Sequence, residues 1–239
     1  MPEKDEGKLC EIKKAVKCSF KYTLPVLTGF IALGMAYGIL MQQKGFNALW
    51  SLFISATAFC GSMQYVLITL MTAAFDPAGA FFMSLMVNAR HLFYGISMLK
   101  KYGSMGKARF FLIYLMCDET FSVCSSVEPP KGVNAKYFYL SISVLDYLYW
   151  VTASFLGGVI GKLMTFNAEG LDFVLTALFV VLFVEQMMNK VNRASGIVGV
   201  LSSVAALVIF GADNLVIPAM IIILAVTLII RRVNKNEHA

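Results

Sequence analysis

The chain alternates long apolar runs with short charged segments, a pattern that predicts transmembrane helices. Residues 22–43 carry no charge and are bounded by Lys21 and Lys44. An α-helix rises 1.5 Å per residue, so about 20 apolar residues cross the hydrocarbon core of a bilayer. The next charge-free run, residues 45–75, is longer than one crossing requires and has Gly61 near its middle. It predicts a second helix that is broken or re-entrant.

The remaining apolar runs predict further spans on both sides of a central loop. The segment 128–132 contains two consecutive prolines and a glycine, so it cannot continue a helix and divides the chain near its middle. The predicted fold is an all-α, polytopic transmembrane helix bundle of about seven or eight spans. Spans three to eight are predicted at residues 78–99, 110–127, 137–160, 173–189, 194–212 and 214–230.

The first 21 residues form a basic leader before the first span. Six of the twenty basic residues of the chain lie here, which predicts a cytoplasmic N-terminus under the positive-inside rule. Leu9, Ile12, Val16 and Phe20 recur at helical spacing, as in an amphipathic helix lying on the anionic inner leaflet; a frayed basic tail is the alternative. Residues 22–239 are then a single transmembrane domain.

The orientation of one loop conflicts with eight crossings. Four basic residues between Lys100 and Arg109 would face outward if the chain crossed eight times from a cytoplasmic start. The conflict disappears if the region around Gly61 is re-entrant or if the chain has seven spans.

Composition narrows the class of protein further. Apolar residues make up 59% of the chain and charged residues 14%, which excludes an ordinary soluble globule, a disordered chain and a nucleic-acid-binding domain. The five cysteines have no metal-binding or C-x-x-C spacing and are interpreted as reduced hydrophobic residues. No hydrolase, zinc-protease or phosphate-loop motif is present. We therefore expect no enzyme activity, metal or cofactor.

Ionisable and polar residues concentrate in spans two to four. An ionisable side chain near the bilayer centre costs about 2.5–3.5 kcal/mol on insertion scales, so a cluster of them indicates a transport pathway. Arg90 is predicted to pair with Asp118 or Glu119; a buried pair that only fixes helix register is the alternative. Asp146 and Glu185 are secondary candidates. The predicted pathway residues are Gly61, Gln64, Asn88, Arg90, His91, Tyr94, Asp118 and Glu119.

Two interpretations remain open for several of these residues. Gly61 and Gln64 suit an unwound stretch that binds a substrate or ion, or a close-packing glycine beside a polar clamp. His91 is either a hydrogen-bonded structural residue or a proton relay.

Two pairs of glycines have the spacing of close helix crossings. Gly34 and Gly38 lie four residues apart in span one, and Gly157 and Gly161 do so in span five. This G-x-x-x-G spacing lets two helix backbones approach, and helix packing is the role we assign to both motifs.

At its polar motifs the sequence resembles the AzlC family, the large subunit of bacterial branched-chain amino acid exporters. The resemblance rests on Gly61-Ser62-Met63-Gln64, on the N-x-R-H-x-x-Y motif at residues 88–94 and on Asp118-Glu119-Thr120-Phe121. It includes Leu24-Pro25, and Pro25 joins the glycines as a packing or hinge residue. The resemblance implies export of leucine, isoleucine and valine across the bacterial inner membrane, with a small hydrophobic AzlD-like subunit.

The leading hypothesis is a secondary transporter, since no nucleotide-binding motif is present. Arg90, or a helix N-terminus near Gly61, would bind the carboxylate of the amino acid. Asp118 or Glu119 would bind its ammonium group or a coupled proton. The alternative is a channel-like or structural membrane subunit in which the polar cluster only fixes helix packing.

Overall fold

The computed structural model describes residues 2–74, 76–163 and 190–211, with scattered helical positions between 177 and 188 and between 218 and 229. Within these residues the secondary structure is helical and contains no strand, as predicted. The chain divides into two compact units, Met1–Asp172 and Phe173–Ala239. The predicted sixth and eighth spans are described only at scattered positions, and Glu185 lies outside the described residues.

The first unit contains seven of the described α-helices and all eight predicted pathway residues. A 3-10 turn, Gly103–Met105, follows the fourth helix. Helix α8, in the second unit, overlaps most of the predicted seventh span but begins four residues earlier. The helices are α1 (Pro2–Gln43), α2 (Ala48–Thr57), α3 (Gly61–Thr72), α4 (Pro77–Tyr102), α5 (Ala108–Tyr114), α6 (Asp118–Ser126), α7 (Ala135–Leu163) and α8 (Lys190–Phe210).

Helices α1 and α7 are the longest apolar elements. Leu9–Gln43 has a mean hydropathy of 1.9 and Ala135–Leu163 one of 1.3, so both are long and apolar enough to cross a membrane. In the described part of the chain only these two helices meet both criteria. The leader is helical and continues into the first span without interruption. Its place on the membrane surface and the total of seven or eight crossings stay predictions.

The two glycine motifs pack against each other where α1 crosses α7. A Cβ atom at Gly34 would lie 2.8 Å from the Cβ of Ala153, and one at Gly161 would lie 3.0 Å from the Cα of Ile39. At Gly38 and Gly157 an added Cβ would overlap backbone atoms of the facing helix. The small residues therefore let the two backbones touch, which is the packing role that their spacing indicates.

Two predicted spans are interrupted. The second breaks at residues 58–60, between α2 and α3, as the glycine in its middle suggested. The prediction of one continuous fourth span at 110–127 is wrong, because α5 ends at Tyr114 and α6 begins at Asp118. No glycine or proline marks this second break. An acidic pair in the first turn of α6 favours a helix start there, because carboxylates stabilise the positive end of the helix dipole.

A lysine secures the C-terminal end of α6. Lys101 Nζ donates to the carbonyl oxygens of Cys124, at 2.8 Å, and Val127, at 3.1 Å. It also forms an ion pair with Glu128 at 3.0 Å. The hydrogen bond that Lys101 donates to the Glu128 carboxylate lowers the pKa of Glu128 below its ordinary value. Carbonyls at a helix C-terminus lack partners within the helix, so a cation placed there stabilises the end of α6.

Candidate functional site

Arg90, in the middle of α4, connects the N-termini of the two half-helices that follow the breaks. Its Nη2 donates a hydrogen bond to the hydroxyl of Ser62, the second residue of α3. Its Nη1 pairs with Oδ2 of Asp118, the first residue of α6, at 2.6 Å. The guanidinium thus contacts the first turns of two helices, each of which is the positive end of its helix dipole. The side chains of Arg90 and Asp118 remain 30% and 21% exposed, so the pair is accessible from outside the protein interior.

The second oxygen of Asp118 is held by Tyr94. The phenol donates to Oδ1 at 2.8 Å, and its ring stacks on Phe121 with centroids 4.4 Å apart. Tyr94 lies one turn after Arg90, so both side chains reach the same carboxylate from one face of α4. Of the two acids that the sequence offered, Asp118 is the one that pairs with Arg90. Glu119 is half-buried and forms no ion pair among the described residues.

Asn88 and His91 border the same site from α4. Asn88 Oδ1 accepts a hydrogen bond from the thiol of Cys60, the last residue of the first break, at 2.9 Å. The His91 ring meets Tyr94 edge to face, with centroids 5.6 Å apart. Both ring nitrogens of His91 are buried without a hydrogen-bond partner in the described part of the chain. The relay and the structural interpretation of His91 therefore both stay open.

Gln64 and Gly61 bind the broken segment to α7. Gln64 Oε1 accepts from Trp150 Nε1 at 2.9 Å and from the Ser55 hydroxyl at 3.2 Å, while its Nε2 donates to the carbonyl of Ala58 at 2.6 Å. Gly61 faces the same indole ring, and a Cβ there would lie 2.9 Å from it. The side-chain amide of Gln64 is hydrogen-bonded within the protein, as expected of a polar clamp. The unwound stretch expected of a binding segment is also present, at residues 58–60.

Two tyrosines cap the end of α2 and were not expected from the sequence. Tyr147 donates to the carbonyl of Ala56 at 2.9 Å, and Tyr114 donates to that of Thr57 at 2.6 Å. These carbonyls belong to the last turn before the break, where the helix leaves them without internal partners. The two tyrosines come from α7 and α5, so no local signal in the sequence connects them with α2.

Asp146 on α7 has the most enclosed carboxyl group of this region. The residue is fully buried, and its Oδ2 accepts a hydrogen bond from the Thr120 hydroxyl at 2.8 Å. Its Oδ1 is buried without a partner among the described residues. Thr120 also lies 3.2 Å from the thiol of Cys117. Asp146 was only a secondary candidate in the sequence analysis. A span that is apolar on all sides does not show which of its faces packs against other helices.

The fold and the site together define a helical membrane protein whose polar residues collect at two helix breaks. The profile of the AzlC protein family matches residues 25–164, more than half of the chain. The chain is also 45% identical over 226 residues to the branched-chain amino acid transport protein AzlC of Bacillus subtilis, covering 95% of this chain and 89% of that protein. The chain therefore belongs to the AzlC family.

More distant relatives are membrane proteins as well. An uncharacterized membrane protein of Helicobacter pylori strain 26695 is 33% identical, with 93% of this chain and 97% of that protein covered. The inner membrane protein YgaZ of Escherichia coli is 23% identical over 77% of this chain and 79% of its own length. No solved structure matches the chain.

Proposed function

We propose that this protein is a secondary transporter that exports branched-chain and related hydrophobic amino acids across the bacterial inner membrane. The proton gradient drives export, and a small AzlD-like membrane subunit works with the chain. The substrate class follows from the name of the B. subtilis relative. The apolar helices and the basic leader support a multi-pass arrangement with a cytoplasmic N-terminus.

The observation that carries this proposal is the position of Arg90 between the starts of α3 and α6. An amino acid carboxylate needs concentrated positive potential, and a guanidinium beside two helix N-termini supplies it. Neither N-cap residue, Cys60 nor Cys117, uses its side chain to cap its helix. We infer that the substrate carboxylate binds Arg90 beside the first turn of α3.

Asp118 supplies the opposite charge. An incoming ammonium group would take over one of the two oxygens that now bind Arg90 and Tyr94. Exchange of the internal pair for a pair with the substrate keeps every buried charge compensated, which a membrane interior requires. Each member of the pair thus has a partner of opposite charge both before and after the amino acid binds.

Valine counterflow in proteoliposomes tests the assignment. We compare the wild type with Arg90→Ala and Asp118→Asn, each reconstituted with and without the small apolar subunit. Hydrogen bonds to charged groups contribute about 1.5–3 kcal/mol, so each variant should lose roughly 10- to 150-fold in apparent valine affinity. Asp76→Asn is the matched control, since Asp76 is exposed and only caps α4 through the amide of Gly79. Normal counterflow by both site variants would refute the proposal.

A channel-like or structural subunit is the second candidate function. It is favoured by the hydrogen bonds and the ion pair that Gln64 and Asp118 form with partners within the protein. A cluster that only fixes helices predicts a passive flux that does not respond to a proton gradient. It also predicts that Arg90→Ala lowers thermal stability without changing the valine affinity of the protein that remains folded. The same proteoliposomes distinguish the two functions.

A further inference from the structure

We propose that Asp146 carries the coupling proton of the transport cycle, at a position separate from the Arg90–Asp118 pair. The proposal rests on the proposed transport function and adds to it the group that is protonated and deprotonated. Asp118 has both oxygens engaged, by Arg90 and Tyr94, whereas one oxygen of Asp146 has no partner among the described residues.

The surroundings of Asp146 do not compensate a permanent negative charge. The residue is fully buried, and the hydrogen bond that the described part of the chain provides comes from the neutral hydroxyl of Thr120. An isolated carboxylate in an apolar interior is strongly disfavoured unless it is paired or takes up a proton. The unoccupied Oδ1 is the atom on which a proton can bind without breaking an existing contact.

Among the helices that the structure describes around Asp146, no cation offsets that charge. On α6 and at its start, the electrostatic neighbours are the carboxyl of Glu119 and the thiols of Cys117 and Cys124. Helix α1 has no ionisable side chain between residues 23 and 36, and α2 has none at all. On α5, Arg109 lies over the ring of Phe110 and is no neighbour of Asp146. Within the described residues, a proton is therefore the available positive charge.

The first turn of α6 links this carboxyl to the proposed substrate pair. Asp118, its first residue, is held by Arg90 and Tyr94 of α4, and Thr120, two residues later, is held by Asp146 of α7. An ionised Asp146 accepts the Thr120 hydroxyl strongly, and the neutral acid accepts it weakly. Protonation thus loosens one of the two attachments of this turn. Because Asp118 moves with the turn, proton binding and substrate binding affect each other reciprocally.

The proton balance is simple. An O–H bond forms at Asp146 when the site faces the side of higher proton potential, and the same bond breaks when the site faces the other side. The proton comes from hydronium on the first side, which becomes water, and it passes to water on the second side, so one proton crosses in each cycle.

The Asp146→Asn variant distinguishes valine exchange, which moves no net protons, from valine transport that is coupled to a proton. The amide keeps the shape and the contact with Thr120 and cannot be deprotonated. In proteoliposomes of the full chain, we expect valine counterflow to stay within about three-fold of the wild type, because exchange needs no net proton movement. Valine accumulation driven by an imposed pH gradient should fall at least ten-fold. The Asp76→Asn variant should retain both activities.

Infrared difference spectra on acidification provide a second measurement that does not depend on transport. The wild type should show the carbonyl band of a protonated carboxyl group that Asp146→Asn lacks, even if that variant loses counterflow. Gradient-driven accumulation in Asp146→Asn equal to that of the wild type, or identical infrared bands in the two proteins, would overturn the proposal. Absence of valine counterflow in the wild type would instead refute the proposed function itself.

Discussion

Replacing Gly38 by alanine tests the contact on which the bundle is built. The added Cβ would overlap the carbonyl oxygen of Ser154 and would lie 2.5 Å from the amide nitrogen of Gly158 and 2.8 Å from the carbonyl carbon of Gly157. All three are backbone atoms of α7, so no side chain can rotate away. Relief requires the two helices to separate by about 1 Å, since unstrained Cβ contacts begin near 3.4 Å. The neighbouring contact between Gly34 and Ala153 would open with them.

Gly29→Ala isolates the cost of this overlap. Gly29 lies on the same helix, and a Cβ there would have no atom of the described residues within 4 Å. Both substitutions gain about 0.5–1 kcal/mol from the higher helix propensity of alanine, so this gain cancels in their difference. What remains is the cost of overpacking, about 1–3 kcal/mol. For a chain of this size that corresponds to a difference in Tm of about 2–12 °C between the two variants.

Thermal unfolding of the purified protein in one detergent measures this difference. We expect Gly29→Ala to unfold at or slightly above the wild-type Tm, and Gly38→Ala to unfold clearly below it. Equal Tm values for the two alanine variants would show that α1 and α7 are not in backbone contact at Gly38, and the packing of the two glycine motifs would have to be abandoned.

Two further substitutions test contacts at the first helix break and at the end of α6. Trp150→Phe removes the hydrogen bond to Gln64 and should destabilise the protein by about 1–3 kcal/mol in the same unfolding assay. Trp50→Phe, at an exposed site, is the control. Equal losses of stability in the two variants would contradict a stabilising role of the bond between Trp150 and Gln64. Glu128→Gln should lower Tm at neutral pH because it removes the ion pair with Lys101. A depressed pKa stabilises the fold above the unfolded-state pKa, so the Tm difference should vanish as the pH falls through the folded pKa of Glu128; a pH-independent difference would refute the ion-pair explanation.

The long spans and the composition of the site were predictable from local patterns. The length of a charge-free run predicts the length of a membrane-spanning helix. Helices α1 and α7 contain the predicted first and fifth spans. Gly61 indicated the first break. The second break has no glycine or proline before it, and the acidic pair that follows it was interpreted as a binding pair and not as the start of a helix.

The sequence by itself determined which residues cannot face lipid. Arg90, Asp118 and Asp146 lie within apolar spans, where an ionised side chain near the bilayer centre is expensive to insert, so their positions are informative without coordinates. Only the tertiary structure decided which contacts they make: Asp118 binds Arg90 and Tyr94, while Asp146 accepts from Thr120 with one oxygen and has no partner for the other in the described part of the chain. The physical reason is that an insertion cost belongs to a single residue, whereas its compensation depends on which atoms of distant helices lie within hydrogen-bonding distance.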